Sequence, residues 1–384
     1  MMEITEGSHA VAEAVRLCRP QVVSAYPITP QTHIVEALAD YVANCQLDAE
    51  YITVESELSA LSACVGASAA GSRTYSATTS QGLALMCEVL FNASGMRLPI
   101  VMSIVNRSMG APLSIWNDQQ DSIAMRDCGW LQFYAEDNQE ATDLHFLAYK
   151  VAEDQTIQLP AFVCFDGYIL SHTYEPVDIL SQEDVDKYLP AFAPDEKLDA
   201  KDPISFGMYA TPDYYMEFRY EMDQAQKKAK DLIAKYGKEF GTLFGRDYSA
   251  LVEGYRLDDA ETAIVAMGSI CGTVKDAIDE MRADGRKVGL LRIRVFRPFP
   301  SEEIAKALSG VQRVAVLDKN ISLGAKGATA IEVRDAMYGS ITPVMGYVLG
   351  LGGRDIRKKD IKEIVALCEK GEGDQFYGLR TELI

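Results

Sequence analysis

Residues Ser24 to Thr32 read SAYPITPQT, and the reading of this stretch decides the fold around it. Pro27 and Pro30 have fixed φ, and Tyr26 and Thr29 each precede a proline, so four of the five residues of YPITP are pushed toward extended backbone. Upstream, Gln21 to Ala25 reads as a short buried strand. Downstream, Ile34, Val35, Leu38 and Val42 recur at helical spacing, with Thr29 expected as N-cap and Pro30 at the first helical position. A strand, a stiff turn and a helix start make an anion-receptive corner at the carboxyl end of a strand. Such caps are ordinary, and the motif alone is equally a well-formed helix start.

Two further segments give this corner company. Val54 to Gly71, VESELSALSACVGASAAG, is built after Glu57 almost entirely of Ala, Ser, Gly, Cys, Leu and Val. A helix of such small residues lets another element or a ring approach its backbone, and Glu57 stands in its first turn. A carboxylate there also simply complements the helix dipole, and Glu55 fits that reading as well. The run Pro99 to Val105, PIVMSIV, is apolar throughout and suits a parallel strand buried on both faces. Arg107 then follows the carboxyl end of that strand, where open α/β sheets hold ligands. A lone arginine there is also a common surface ion-pair partner.

Strand and helix patterns alternate through residues 1–170. Strands are expected at Thr74 to Thr78 and Ala161 to Phe165, and helices from Gln81 and Ala141. This is a doubly wound α/β pattern. Residues 171–255 lack it, being rich in Asp, Pro and aromatics, and read as an irregular connection with one polar helix near Tyr214 to Tyr236. From 256 to 384 the alternation resumes as a second α/β domain, with strands TAIVAMG, KVGLLRI, RVAVLDK and ITPVMGYVLG. Its GLGG, Gly350 to Gly353, lacks the spacing of a phosphate fingerprint and reads as a turn.

Four motifs now stand in order: YPITP (Tyr26 to Pro30), SE opening a small-residue helix (Ser56, Glu57), TSQG (Thr79 to Gly82) and NRSMGAPLSIWNDQQD (Asn106 to Asp121). Together they resemble the α subunit of the pyruvate-type 2-oxoacid:ferredoxin oxidoreductases, which use thiamine diphosphate. The resemblance continues through RDCGWLQFYAEDNQEATD and FDGYILSHTYEPV and covers nearly the whole chain. It implies a thiamine pyrimidine-binding-type doubly wound domain followed by a transketolase C-terminal-like α/β domain. It also implies that Glu57 hydrogen-bonds the cofactor's aminopyrimidine ring, with Pro27 and Ile28 beside the cofactor. Thr29 and Arg107 become the contacts to substrate carboxylate and carbonyl. The implied reaction is oxidative decarboxylation of a 2-oxoacid, with the acyl group passing to coenzyme A and electrons to iron–sulfur clusters and ferredoxin.

The chain supplies only part of that chemistry. Eight cysteines, Cys18, Cys45, Cys64, Cys87, Cys128, Cys164, Cys271 and Cys368, show no cluster-ligating spacing. They read as free, mostly buried thiols in a reducing cytoplasm. His9, His33, His145 and His172 are scattered without metal-ligand spacing, so no metal or cluster is assigned to the chain. Thiamine enzymes hold the diphosphate through magnesium on a GDG segment, and none occurs; FDG at Phe165 to Gly167 and ADG at Ala283 to Gly285 lack the first glycine. A pyrimidine-side glutamate without a diphosphate site implies half an active site. The expected partners are therefore a diphosphate- and magnesium-binding β subunit, a γ subunit and a ferredoxin-like cluster subunit.

Composition is consistent with that picture. The 384 residues are 48% hydrophobic, and no apolar stretch approaches the ~20 residues of a membrane span. No basic amino-terminal region precedes an apolar core, so no secretory signal is expected. A formal charge of −19 disfavours nucleic acid, anionic membranes and direct docking of acidic ferredoxin.

The loop Ser108 to Gln120 presents Pro112, Leu113, Ile115 and Trp116, with Asp118 as its only charge. A second substrate carboxylate would want a second cation, so pyruvate or 2-oxobutyrate is preferred over 2-oxoglutarate, with branched 2-oxoacids left open. The resemblance also implies pyruvate rather than oxalate, because oxalate-type members of the family depart from the threonine in YPITP and Thr29 keeps it. Two other classes remain: a non-ferredoxin thiamine enzyme subunit, and a catalytically silent interaction subunit.

Overall fold

The structure, a computed structural model, describes residues 2–384. Two largely parallel sheets dominate it. The first has seven strands in the spatial order Val295–Arg297, Leu131–Tyr134, Ala161–Asp166, Val101–Asn106, Thr74–Thr78, Val22–Ser24, Glu50–Ile52. The second has six, in the order Gln375–Phe376, Val344–Val348, Arg313–Asp318, Thr262–Ala266, Val288–Ile293, Val252–Tyr255. All pairings are parallel except those of Val295–Arg297 and Val252–Tyr255 with their neighbours.

The apolar run expected as a doubly buried strand is one. All six residues of Val101–Asn106 are buried. Val101 and Val105 enter the core beneath the helices Gly7–Leu17, Thr32–Ala43, Asn138–Ala152 and Tyr215–Phe244. Met102 and Ile104 point the opposite way, as strand alternation requires, into a core shared with the helices Glu57–Ala69 and Cys87–Gly95. That second core also contains Val265, Leu291, Val314 and Val316 of the second sheet. The two α/β halves are thus joined through one apolar layer.

Strand order locates a crevice. The chain runs from Val22–Ser24 outward to Glu50–Ile52, then returns to Thr74–Thr78 on the other side and proceeds in the opposite direction. The connections therefore diverge between Val22–Ser24 and Thr74–Thr78. Outside the carboxyl ends of two such strands a gap opens, the usual ligand position of a doubly wound sheet. YPITP follows the first of these strands and TSQG the second.

Three sequence expectations need correction. The helix after YPITP starts at Thr32 with Gln31 as its N-cap, so Thr29 and Pro30 are not its cap and first residue. Instead Gln31 N–H closes a turn onto Ile28 O at 2.9 Å, and the buried Gln31 amide donates to Tyr26 O and Ala77 O at 2.8 and 3.1 Å. Anchoring Gln31 to both neighbouring strands' ends delays the helix.

Residues 171–255 are not an irregular connection with one helix. Tyr174–Asp178 pairs antiparallel with Met2–Glu6, and a helix spans Gln182–Tyr188. The long helix runs over Tyr215–Phe244, burying Ala225, Ala229, Leu232, Ile233 and Phe240 on one stripe and stopping at Gly245 in the left-handed region (φ 78°). Finally, the second sheet begins at Val252 rather than after 255, and Val295–Arg297 crosses back into the first sheet. Strands this short carry too little periodicity to be read from sequence.

Candidate active site

Glu57 is the first residue of the Glu57–Ala69 helix, behind Ser56, whose hydroxyl accepts from Ser59 N–H. Only 8% exposed, its carboxylate makes no hydrogen bond or ion pair with any described residue. It lies against Gly82 of TSQG: a methyl group there would sit 2.7 Å from Glu57 Oε1 and 2.5 Å from Thr78 Oγ1. Thr78 Oγ1 is itself buried without a partner. Buried polar groups are normally satisfied, so an unpaired acid and an unpaired hydroxyl packed on one glycine mark candidate contacts for a polar ligand.

Arg107 follows the strand Val101–Asn106 and is 6% exposed. Its Nη1 donates to Thr29 O at 2.8 Å and its Nε to Ser114 O at 3.0 Å. No described carboxylate pairs with it. Two neutral carbonyls orient the guanidinium without cancelling its charge, so a bound anion meets an unspent cation. Thr29 is thus brought against Arg107 through its backbone carbonyl, and its side chain is exposed in the turn. Pro27 is likewise exposed and Ile28 half-buried in the same turn.

TSQG couples the two sides. Thr79 Oγ1 donates to Val105 O at 2.5 Å, and Ser80 Oγ to Ser108 O at 2.5 Å. Asp121, which no motif reading singled out, is the hub. Its Oδ2 accepts from the N–H groups of Ser80 and Arg107, both at 3.0 Å, and its Oδ1 from Asn106 Nδ2 at 2.7 Å. Burial pushes this carboxyl up to about 6, against the lowering effect of those donors. Glu57 and Arg107 therefore flank one rigid turn. Asp121 closes the NRSMGAPLSIWNDQQD motif, so its identity was on the page and only its role was hidden.

The second α/β half also reaches the site. Gln119 N–H donates to Lys319 O at 2.8 Å, and Gln119 Nε2 to Met267 O at 3.1 Å. The buried Lys319 ammonium bonds Asn117 Oδ1 and, at 3.0 Å, Asp166 Oδ2, which also accepts from Ser269 Oγ at 2.5 Å. Asp118 is turned inward and accepts from Gly352 N–H of GLGG at 2.9 Å. GLGG is a short turn that holds the loop. Leu113 and Trp116 stay exposed at the loop's tip. None of this bracing was legible in sequence, since its partners lie 103 or more positions apart.

All eight cysteines are free and six are buried, with burial raising the thiols of Cys18, Cys64, Cys128, Cys164, Cys271 and Cys368. No described helix is long and apolar enough to cross a membrane.

A doubly wound sheet with an unpaired glutamate and a counterion-free arginine beside its switch point is the architecture of an enzyme that binds an anionic ligand in that crevice. Over 95% of its length the chain superposes on a 2-oxoglutarate:ferredoxin oxidoreductase from Magnetococcus marinus, with TM-score 0.76, 20% identity and 65% of that chain covered. It also superposes on a split-gene transketolase, with TM-score 0.59, 12% identity, and 96% and 99% coverage. Residues 13–238 match the family model described as pyruvate flavodoxin/ferredoxin oxidoreductase, thiamine diphosphate-binding, and residues 260–361 that of pyruvate:ferredoxin oxidoreductase core domain II. The pyruvate synthase subunit PorA of Methanosarcina barkeri is 52% identical over all of this chain and 98% of its own length. The ketoisovalerate oxidoreductase subunit VorA of Pyrococcus horikoshii is 49% identical over 96% and 94%. The chain belongs to the pyruvate:ferredoxin oxidoreductase family, as an α-type subunit.

Proposed function

We propose that this chain is the pyrimidine-side half of a pyruvate:ferredoxin oxidoreductase, converting pyruvate and coenzyme A to acetyl-CoA and carbon dioxide with reduction of ferredoxin. The observation that carries the reading is the pair of unsatisfied charges, Glu57 and Arg107, on either side of the TSQG turn. Thiamine diphosphate, when bound, supplies the carbanion chemistry that releases carbon dioxide. Glu57 holds a proton against the pyrimidine ring, and Pro27 and Ile28 border the ring. Gly82 leaves room for the Glu57 side chain packed on it. Arg107 grips the substrate carboxylate, and Thr29 donates its hydroxyl to the same substrate. The loop Ser108 to Gln120 shields the reacting centre from water.

Magnesium, the diphosphate and the iron–sulfur clusters belong to β, γ and ferredoxin-like subunits in the cytoplasm. Absence of GDG from the sequence supports that division. Arg107 is the cation available to substrate, because Lys319 is already matched by Asp166. A small monocarboxylate fits, and pyruvate is favoured because the PorA relatives carry its name. A branched 2-oxoacid is the second reading, supported by the VorA relatives.

The test is reconstitution with a GDG-bearing partner, measuring specificity constants for pyruvate, 2-oxobutyrate, a branched 2-oxoacid and 2-oxoglutarate. The chain alone should be inactive, and pyruvate should lead. Charge-assisted bonds contribute roughly 1.5–3 kcal/mol against about 1 for a neutral bond, so Arg107→Ala should lower pyruvate use more than Thr29→Ala. Both variants should keep cofactor affinity. Turnover by the isolated chain, or loss of cofactor binding with substrate use intact in Arg107→Ala, would overturn the assignment.

A further inference from the structure

The sequence contains four histidines, and three of them meet. His33 lies in the first turns of Thr32–Ala43, His172 in the turn after Ala161–Asp166, and His9 in Gly7–Leu17. The ring centroids of His33 and His172 are 4.8 Å apart, and His9 stacks on His33 at 6.0 Å. Glu6, buried at the end of Met2–Glu6, places Oε1 2.6 Å from His33 Nδ1. One ligand atom each from Glu6, His33 and His172 lies within 4.8 Å of the others.

We propose that Glu6, His33 and His172 form a binding site for a divalent ion of the zinc class. Two imidazoles and one carboxylate are a donor set that zinc takes with solvent in the remaining position, and the half-exposed histidines leave solvent access. Binding displaces the proton between Glu6 and His33 to solvent; that pair, 2.6 Å apart without the ion, opens slightly to tetrahedral ligand spacing while His172 moves in toward it. The surroundings orient the third ligand. Ser171 Oγ lies 2.7 Å from His172 Nδ1 and accepts from Tyr168 N–H at 2.8 Å, leaving Nε2 unbonded by any described residue.

The ion would pin three chain segments together directly behind YPITP. A methyl group on Gly167 would already lie 2.7 Å from Pro30 Cγ, so the His172 turn and YPITP are in contact. A row of rings also leads onward: His172 to Tyr168 at 4.9 Å, and Tyr168 to Trp116 of the loop at 4.9 Å. Occupancy therefore stiffens the floor beneath the substrate loop.

The test uses the full chain without an affinity tag, stripped by chelator, with Cys45→Ser to remove the exposed thiol. Zinc and cobalt(II) should each bind one site per chain. Cobalt should give the visible bands of a tetrahedral N/O site without sulfur charge transfer. Zinc should raise the melting temperature and magnesium should not, since magnesium prefers oxygen ligands. Loss of an orienting partner alone costs about 10–100-fold in metal affinity, so His33→Ala and His172→Ala should each cost roughly a hundredfold or more. His9→Ala, outside the ligand set, should bind as the parent does. Parent-like zinc affinity in His33→Ala and His172→Ala, a loss in His9→Ala as large as theirs, or a sulfur-ligated cobalt spectrum would each overturn the proposal.

Discussion

At the scale of single residues, the site is defined by what its charges lack. A buried carboxylate without a partner is costly; the helix start at Glu57 offsets part of that cost, and the missing side chain of Gly82 leaves the space that Glu57 occupies. Glu57→Gln preserves shape and removes proton exchange, so turnover in the assembled, cofactor-loaded enzyme should fall by roughly a hundredfold or more. Normal turnover would leave Glu57 as a helix-start charge only. Gly82→Ala acts on the same spot by volume. Its methyl group would sit 2.7 and 2.5 Å from Glu57 Oε1 and Thr78 Oγ1 and displace them, so thiamine diphosphate affinity should drop and the melting temperature should fall with it. Calorimetric titration of the reconstituted complex checks this.

Among elements, the decisive relation is between the substrate loop and the second sheet. Asn117, Asp118 and Gln119 are all buried and bonded to the other half, Asn117 and Gln119 at strand ends and Asp118 at the GLGG turn. Within this joint, burial alone would raise the Asp166 carboxyl, but Lys319 and Ser269 hold it below its ordinary value. Lys319→Met leaves Asp166 buried without its cation, and breaking a buried pair typically costs about 3–5 kcal/mol. The variant should show that loss in urea unfolding and a raised KM for pyruvate, because the loop loses its brace. Lys319→Met with Asp166→Asn should recover most of the stability. Failure of the double variant to recover would mean that Lys319 acts on the loop alone.

Across the whole molecule, one buried ionic network ties the halves. Glu140, on a helix of the first half, accepts from Arg292 Nη2 at 2.8 Å and Arg294 Nε at 2.6 Å, and both arginines also bond Glu253. Burial would raise Glu140, but the two guanidinium groups outweigh it and hold its carboxyl at about 2. A folded value below the unfolded one contributes stability that is complete above about pH 4.5 and disappears as pH falls toward 2. Urea midpoints measured across that window should fall steeply for the parent. In Glu140→Gln the midpoint should start lower and this part of the acid limb should flatten. An unchanged acid limb would place the acid sensitivity elsewhere.

The order of YPITP, SE, TSQG and NRSMGAP, together with the apolar run before Arg107, was enough to name the fold class and to propose Glu57, Thr29 and Arg107 for the site. Those features rest on local rules: proline geometry, small-residue helices and strands buried on both faces. What neighbours those side chains was decided by tertiary structure. Thr29 meets Arg107 through its carbonyl because Gln31 is anchored to two strand ends, and no cap pattern could show that. Asp121, Lys319 and the grouping of Glu6, His33 and His172 depend on strand order and on the contact of two sheets. Sequence spacing carries periodicity within an element, whereas these contacts join residues that only the folded topology makes neighbours.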